Sequence, residues 1–268
     1  MKKVPYLELH AVHTCNLSCA GCSHYSQHHV GGVVSLIELA DWCTDWKNKI
    51  EPESIVVLGG EPTLHPELPQ FILSLQEYWP KSKITLRTNG FFIHKHLDLR
   101  KVLTETNSIL EVNCHSNEED YLEKFFGILE HIQSWWDVRI ELKNTFGGAV
   151  HKDWALRYHG AGSEMKPFNE GVPRQSWNHC IARDCVTLFE GRLWKCPPIA
   201  YLQLLPRYFP LSKEWDPYLA YRGIGPDCST QELNDFFKKE DESICGMCPS
   251  RAIPYDKGNP LKNKSYPR

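Results

Sequence analysis

Cysteine is the residue type that stands out for its chemistry: the chain carries eleven in 268 residues, an odd count concentrated in two places. The first group is Cys15-Asn-Leu-Ser-Cys19-Ala-Gly-Cys22, three thiols within eight residues. Thiolates converging from one compact loop suit an iron–sulfur cluster, because each iron takes tetrahedral sulfur ligation. Three thiolates hold three irons of a [4Fe–4S] cluster and leave the fourth open to a ligand other than cysteine. Zinc is the rival, and it would want a fourth ligand from His13 or His24. The spacing favours iron–sulfur. The second group is Cys180, Cys185 and Cys196, followed by the pair Cys245-Gly-Met-Cys248, a set that in isolation also reads as a zinc ribbon. Cys43, Cys114 and Cys228 stand apart and read as small hydrophobes. The thirteen histidines, His28-His29 and His94/His96 among them, are too scattered to suggest a mononuclear metal site and are expected mostly in solvent.

These thiols need elements to converge them. Residues 6–145 alternate strand-like and helix-like segments. Tyr6–Val12 reads as the first strand, and Ser35-Leu36-Ile37-Glu38 is a capping box opening a helix. Strands are expected at Ser54–Leu58, Lys83–Arg87, Ile109–Cys114 and Val138–Leu142. Between them fall helical faces such as Leu68, Phe71, Ile72, Leu75 and Tyr78. Repeated units of this length imply α/β architecture with a parallel sheet and right-handed crossovers. Periodicity locates no convincing sixth strand. Gly147-Gly148 and the Gly- and Pro-rich stretch from Gly160 to Arg174 read as loops. A hairpin is expected over Val186–Phe189, Glu190-Gly191 and Arg192–Lys195. Gln231–Lys239 reads as a helix, and Asn259–Arg268 as a loose tail.

Other motifs fall on the carboxyl ends of these strands, the face on which parallel barrels build their sites. Val57-Leu58-Gly59-Gly60-Glu61-Pro62 ends the second, Arg87-Thr88-Asn89-Gly90 the third, and Asn113-Cys114-His115 the fourth. C-x3-C-x2-C after a first strand, then GGEP, then TNG, resembles the radical S-adenosylmethionine (radical SAM) superfamily. The resemblance implies a partial (β/α)6 TIM-like barrel over 1–150. It also implies that Cys15, Cys19 and Cys22 hold a [4Fe–4S] cluster whose fourth iron is chelated by S-adenosylmethionine. Reductive cleavage of that molecule would give a 5′-deoxyadenosyl radical, which abstracts hydrogen from a substrate. Gly59, Gly60 and Glu61 would meet the methionyl amino group, and Thr88, Asn89 and His115 would complete the cofactor contacts. The family often has an aromatic residue before the last cysteine; here it is Gly21, with Tyr25 a substitute for contact with the adenine.

Gly191-x4-Cys196 followed by a distal C-x-x-C resembles the family's SPASM/twitch extensions. That implies a small C-terminal twitch-like region, 177–268, holding an auxiliary [4Fe–4S] cluster, joined through 151–176, a linker with substrate-lining loops. Five cysteines compete for at most four places; Cys196, Cys245 and Cys248 are the firmer three, and spacing does not choose between Cys180 and Cys185. In epimerising relatives a free thiol returns a hydrogen atom, which singles out Cys114, with Cys228 as a second.

A net charge of −3 gives no electrostatic footprint for nucleic acid or an anionic membrane, and no apolar run is long enough to span a bilayer. The N-terminus MKKVPYLELH lacks the features of a signal peptide, so a cytoplasmic address is expected. With the first strand near Tyr6, no leader-binding domain is expected. The expected substrate is a small polar molecule such as a sugar, aminocyclitol or nucleotide-like compound, oxidised with help from the auxiliary cluster. An external donor such as flavodoxin or ferredoxin would supply the electron. Within the barrel, His115, Lys143 and Asn144 are placed to meet substrate; in the linker Lys166, Phe168, Arg174, Ser176 and Trp177 are the corresponding residues. The alternatives are a peptide-modifying enzyme of the same family, epimerase or cross-linking, and a non-catalytic zinc or redox-sensing protein.

Overall fold

The computed structural model describes residues 1–145, 155–255 and 258–262. Gly147, Gly148, His151 and the tail beyond Lys262 lie outside the described residues. Five strands come first: β1 (Lys2–Val12), β2 (Ile50–Gly59), β3 (Lys83–Thr88), β4 (Ile109–Cys114) and β5 (Arg139–Asn144). The helices α1 (Leu36–Trp46), α2 (Leu68–Tyr78), α3 (Leu99–Glu105) and α4 (Glu119–Ile132) connect them. The Ser35–Glu38 capping box starts α1 as the sequence predicts. The first two strands run longer than the apolar patterns suggest, because Lys2–Val4 pair in register with Ile50–Pro52 despite the charged Lys2, Lys3 and Glu51.

After α5 (Pro173–Asn178) the chain forms the hairpin β6 (Val186–Phe189) and β7 (Arg192–Trp194). Glu190 (φ 49°) and Gly191 (φ 71°) both take the left-handed conformation that a two-residue hairpin turn requires. The seven-stranded sheet has the order β5-β4-β3-β2-β1-β6-β7. β6 runs parallel to β1, with Leu7 opposite Val186, and only β7 is antiparallel. The missing sixth parallel strand is therefore the first strand of the cysteine-bearing hairpin. The result is an α/β fold of the radical SAM partial-barrel type.

Register gives the sheet two unlike faces. Leu7 and Leu9, Ile55 and Val57, Ile84 and Leu86, and Leu110 and Val112 point to the helices and form the larger core. The alternate positions, Glu8 and His10 on β1, Arg87 on β3, Glu111 and Asn113 on β4, and Lys143 on β5, point to the other face. A second core covers part of that face with residues from α6 (Pro197–Leu202) and its surroundings, including Phe189, Trp194 and Tyr201. No described helix is long and apolar enough to cross a membrane.

Candidate active site

The carboxyl ends of the strands surround a cavity of about 440 Å³. Cys15, Cys19 and Cys22 line it, and so do Gly59, Gly60 and Glu61 after β2, Thr88 and Asn89 after β3, and His115 after β4. Residues separated by a hundred positions thus share one wall. The two glycines are there because the chains approach too closely for a side chain. A Cβ on Gly59 would strike the Val12 carbonyl, and one on Gly60 would lie 2.5 Å from the His13 carbonyl oxygen. Backbone bonds seal this contact, from Gly60 N to Val12 O (2.8 Å) and from Glu61 N to Thr14 O (2.9 Å).

Glu61 is 1% exposed, and its carboxylate is spent on protein donors. One oxygen accepts from the Thr63 amide (3.0 Å), the Thr63 hydroxyl and the Thr88 hydroxyl; the other accepts from the Asn89 amide (2.8 Å). Burial pushes its carboxyl upward against these donors. The side chain acts as a bracket that locks the ends of β2 and β3 together.

The three thiols differ in surroundings. Burial, followed by the nearby Glu61 carboxylate, raises Cys15 well above the usual thiol range, and its Sγ accepts from the Leu17 amide at 3.4 Å. Burial also works against the Cys22 thiolate, but hydrogen bonding from His24 outweighs it and lowers that thiol. Cys19 Sγ lies 3.8 Å from His115 Nδ1, which also meets the Thr145 hydroxyl at 3.2 Å. Soft sulfur donors grouped on one wall, beside a glycine cradle open to a ligand's polar groups, fit an iron–sulfur cluster with S-adenosylmethionine next to it.

Opposite the thiols the wall is charged. Arg87 and Glu111 are register partners on adjacent strands and form a two-point ion pair (2.6 and 3.4 Å). Asn113 donates to the same carboxylate at 3.2 Å. Lys143 and His24 also line the cavity. His115 and Lys143 therefore stand where strand topology puts them, while Asn144 does not line the cavity. Of the polar wall, Arg87, Glu111 and His24 were not singled out as substrate-facing from sequence. The signal was present on β1, where Glu8 and His10 interrupt Leu7, Leu9 and Ala11 at every second position.

Several expectations do not fall on this cavity. Tyr25 is fully buried in the second core, its hydroxyl donating to Pro198 O (3.1 Å), so adenine contact is not available to it. Cys114 is 3% exposed and shares the helix-facing side of β4 with Val112, its thiol donating to Ser116 O (3.3 Å). Strand alternation has turned this expected hydrogen donor into core. Cys228 sits at the amino end of the sheet, beside Lys49 and Ser229. None of Lys166, Phe168, Arg174, Ser176 and Trp177 lines the cavity. Arg174 instead covers the Trp177 ring at 4.8 Å and pairs with Glu240 at 3.0 Å.

Three thiols of the second cysteine group, Cys180, Cys196 and Cys245, line a separate cavity of about 760 Å³ together with Trp177 and Lys195. Burial raises the Cys196 thiol well above its usual range, with Cys180, Cys248 and Cys245 adding to it. Burial likewise raises Cys248 to about 12, with Cys180 and Cys245 again beside it. The loop carrying Cys245 and Cys248 is fixed by Ser176, whose hydroxyl donates to Cys248 O (3.0 Å), and by the Phe168 amide, which donates to Met247 O (3.0 Å). Cys185 lines neither cavity. Burial raises its thiol to about 12, followed by Glu8 on the barrel side, with Cys180 also acting on it.

Residues 11–132 match the family described as the Radical SAM superfamily. Over 95 residues, 35% of this chain and 31% of the relative, the sequence is 27% identical to a probable GTP 3′,8-cyclase of Archaeoglobus fulgidus. The chain thus spans about a third of the length of that curated relative. The crystal structure of BtrN in complex with AdoMet and 2-DOIA aligns over 99% of this chain and 98% of its own, at 17% identity and a TM-score of 0.53. Native anSMEcpe with bound AdoMet aligns over 52% of this chain and 43% of its own, at 22% identity and a TM-score of 0.42. The full-length likeness to BtrN is one of fold, and it includes the region after β5. The cysteine triad, the glycine cradle and the TNG turn all lie in one cavity, inside the segment that matches the Radical SAM superfamily.

Proposed function

We propose that the enzyme oxidises a small polar substrate, with a second, auxiliary [4Fe–4S] cluster held by Cys180, Cys196, Cys245 and Cys248. The observation that carries this reading is the division of the second cysteine group. Cys180, Cys196 and Cys245 line one cavity with Cys248 beside them, whereas Cys185 lines neither cavity and has only Cys180 of these four near it. Four thiolates complete a cluster, whereas the first group offers three and leaves an iron for S-adenosylmethionine. The hydrogen bonds of the C-x-x-C loop hold it in place around the cavity.

When bound, S-adenosylmethionine and the clusters supply a 5′-deoxyadenosyl radical and an acceptor for the substrate's second electron. The chain supplies the rest. Gly59 and Gly60 bring bare backbone to the cofactor, and Glu61 holds the β2 and β3 turns in register. The Arg87–Glu111 pair, Asn113 and Lys143 offer charged donors and acceptors that suit hydroxyl, amino or phosphate groups. The cavity volume falls in the range of small-molecule sites. The BtrN complex with 2-DOIA supports a low-molecular-weight substrate for this overall architecture. An external reductant, such as flavodoxin or ferredoxin, is needed to start each turnover.

Anaerobic turnover with candidate polyhydroxylated and aminated metabolites tests the proposal. Deuterium moving from substrate into 5′-deoxyadenosine, with a product two hydrogens lighter, is the expected result. Solvent deuterium retained at the reacting carbon of an otherwise unchanged product would overturn the assignment to oxidation.

A further inference from the structure

Beneath the cysteine loop, the barrel-facing side of β1 brings together Glu8, His10 and His24. One ligand atom from each lies within 4.8 Å of the other two, and Glu8 Oε1 and His24 Nε2 are 3.2 Å apart. Glu8 and His10 are each only 2% exposed. His10 Nε2 is buried with no hydrogen-bond partner, a costly arrangement for a polar atom in a protein interior.

We propose that Glu8, His10 and His24 form a site for a divalent transition-metal cation, zinc being the ion best matched to two imidazoles and a carboxylate. A cation accounts for the orphaned His10 nitrogen, which would donate its lone pair. It also takes the place of the proton now shared by Glu8 and His24. Each ligand already has the kind of outer partner that orients metal-binding side chains. His10 Nδ1 meets His13 Nδ1 at 3.0 Å, which lets His10 carry its proton there and keep Nε2 free. His24 also hydrogen-bonds Cys22, and Tyr6 donates to Glu8 Oε2 at 3.2 Å. His10 is further fixed by stacking on Tyr201, ring centroids 3.6 Å apart. Tetrahedral zinc with bonds near 2.1 Å wants its donors about 3.4 Å apart, so the trio must close by up to about 1.4 Å at its widest.

Three protein ligands leave a coordination position open. Of the three ligands His24 lines the main cavity, so the site borders the space in which the proposed substrate would lie. A substrate hydroxyl or amine bound there would be acidified and oriented. This consequence rests on the proposed function above; the metal site itself does not.

The test uses the full chain with both clusters reconstituted anaerobically, exposed to zinc ions and desalted. Elemental analysis should find one zinc per chain in addition to the iron. Zinc K-edge absorption should show a nitrogen and oxygen shell with imidazole scattering and no sulfur. Glu8→Gln and His10→Asn should each weaken retention by about 100-fold or more with iron content unchanged, and Tyr6→Phe by about 10–100-fold. If His10→Asn fails to fold, Glu8→Gln decides the matter. No retained zinc, sulfur in its shell, or retention unaltered in Glu8→Gln would overturn the site. Cleavage of S-adenosylmethionine, measured on the same samples, reports separately on the radical chemistry.

Discussion

Adding one methyl group at Gly60 should disable the enzyme. The Cβ of Gly60→Ala would fall 2.5 Å from the His13 carbonyl oxygen and closer still to the Thr14 carbonyl, all backbone atoms without rotamers that could yield. Restoring ordinary contact near 3.4 Å requires about 1 Å of separation between the end of β2 and the segment that leads into Cys15. That separation breaks the bonds from Gly60 N to Val12 O and from Glu61 N to Thr14 O, which register the cysteine loop against the second strand. Overpacking of this kind costs about 1–3 kcal/mol, or about 2–10 °C in Tm for a chain of this size. The catalytic penalty is larger, since a 1 Å misplacement of reacting groups is worth about 100-fold in rate. The assay is 5′-deoxyadenosine release from S-adenosylmethionine under strong reductant, with iron and sulfide measured in parallel. Gly127→Ala is the control. Gly127 lies within α4, and a Cβ there meets nothing within 4 Å, so alanine should stabilise by up to about 1 kcal/mol and leave cleavage unchanged. Wild-type cleavage and iron content in Gly60→Ala would refute the claim that this close approach positions the cysteine loop.

Replacing Cys15, Cys19 and Cys22 together by alanine should abolish 5′-deoxyadenosine formation and leave about four of about eight irons; residual cleavage would contradict the placement of the catalytic cluster. Cys180→Ser should lose the auxiliary cluster and Cys185→Ser should keep it, as read by iron content and electron paramagnetic resonance. The opposite pattern would reassign the fourth ligand. His28 is buried and held neutral, burial lowering its pKa to about 4, so the unfolded chain binds the extra proton between pH 6.5 and 4. Stability should therefore fall as pH drops through that window, by up to about 3 kcal/mol. Denaturant midpoints across pH should show a shallower slope for His28→Gln.

Local signals made the first cavity readable. Cys15, Cys19 and Cys22 are neighbours in the chain, and Gly59-Gly60-Glu61 and Thr88-Asn89-Gly90 each end a strand whose apolar run is visible. A parallel sheet then delivers all three to one end without further information. β6 was hidden for the opposite reason. It has four residues, its near neighbour β7 gives it the look of a free-standing hairpin, and its pairing with β1 joins positions nearly 180 apart. The Arg87–Glu111 pair depends on register, which periodicity does not supply. Spacing likewise left Cys180 and Cys185 equivalent, because it carries no direction. In the structure Cys180 faces Cys196 and Cys245, whereas Cys185 opens β6 beside Glu8 on the barrel side. The histidines misled for a related reason. His10 and His24 are fourteen positions apart and belong to no recognisable spacing, yet strand alternation and the turn after Cys22 bring their rings to 4.9 Å.

The same contacts explain why the two cysteine groups need not behave as independent modules. β1 runs directly into the Cys15 loop, and β6 lies against β1 before β7 leads into Cys196. Cys196 caps α6, and Tyr201 of that helix stacks on His10 of β1. From the other side, Tyr25 follows Cys22 and reaches across to donate to Pro198 O in α6. Tyr158, packed in the same core, donates to the Cys22 carbonyl at 3.4 Å. The loop holding Cys19 and Cys22 is therefore clamped by the helix that starts at Cys196. Were the proposed auxiliary cluster bound by the second group, it would fix the N-terminus of α6 and, through Tyr201 and Pro198, limit the freedom of the first cysteine loop. A buried aromatic contact transmits such ordering because a close-packed core shifts between discrete arrangements rather than deforming smoothly.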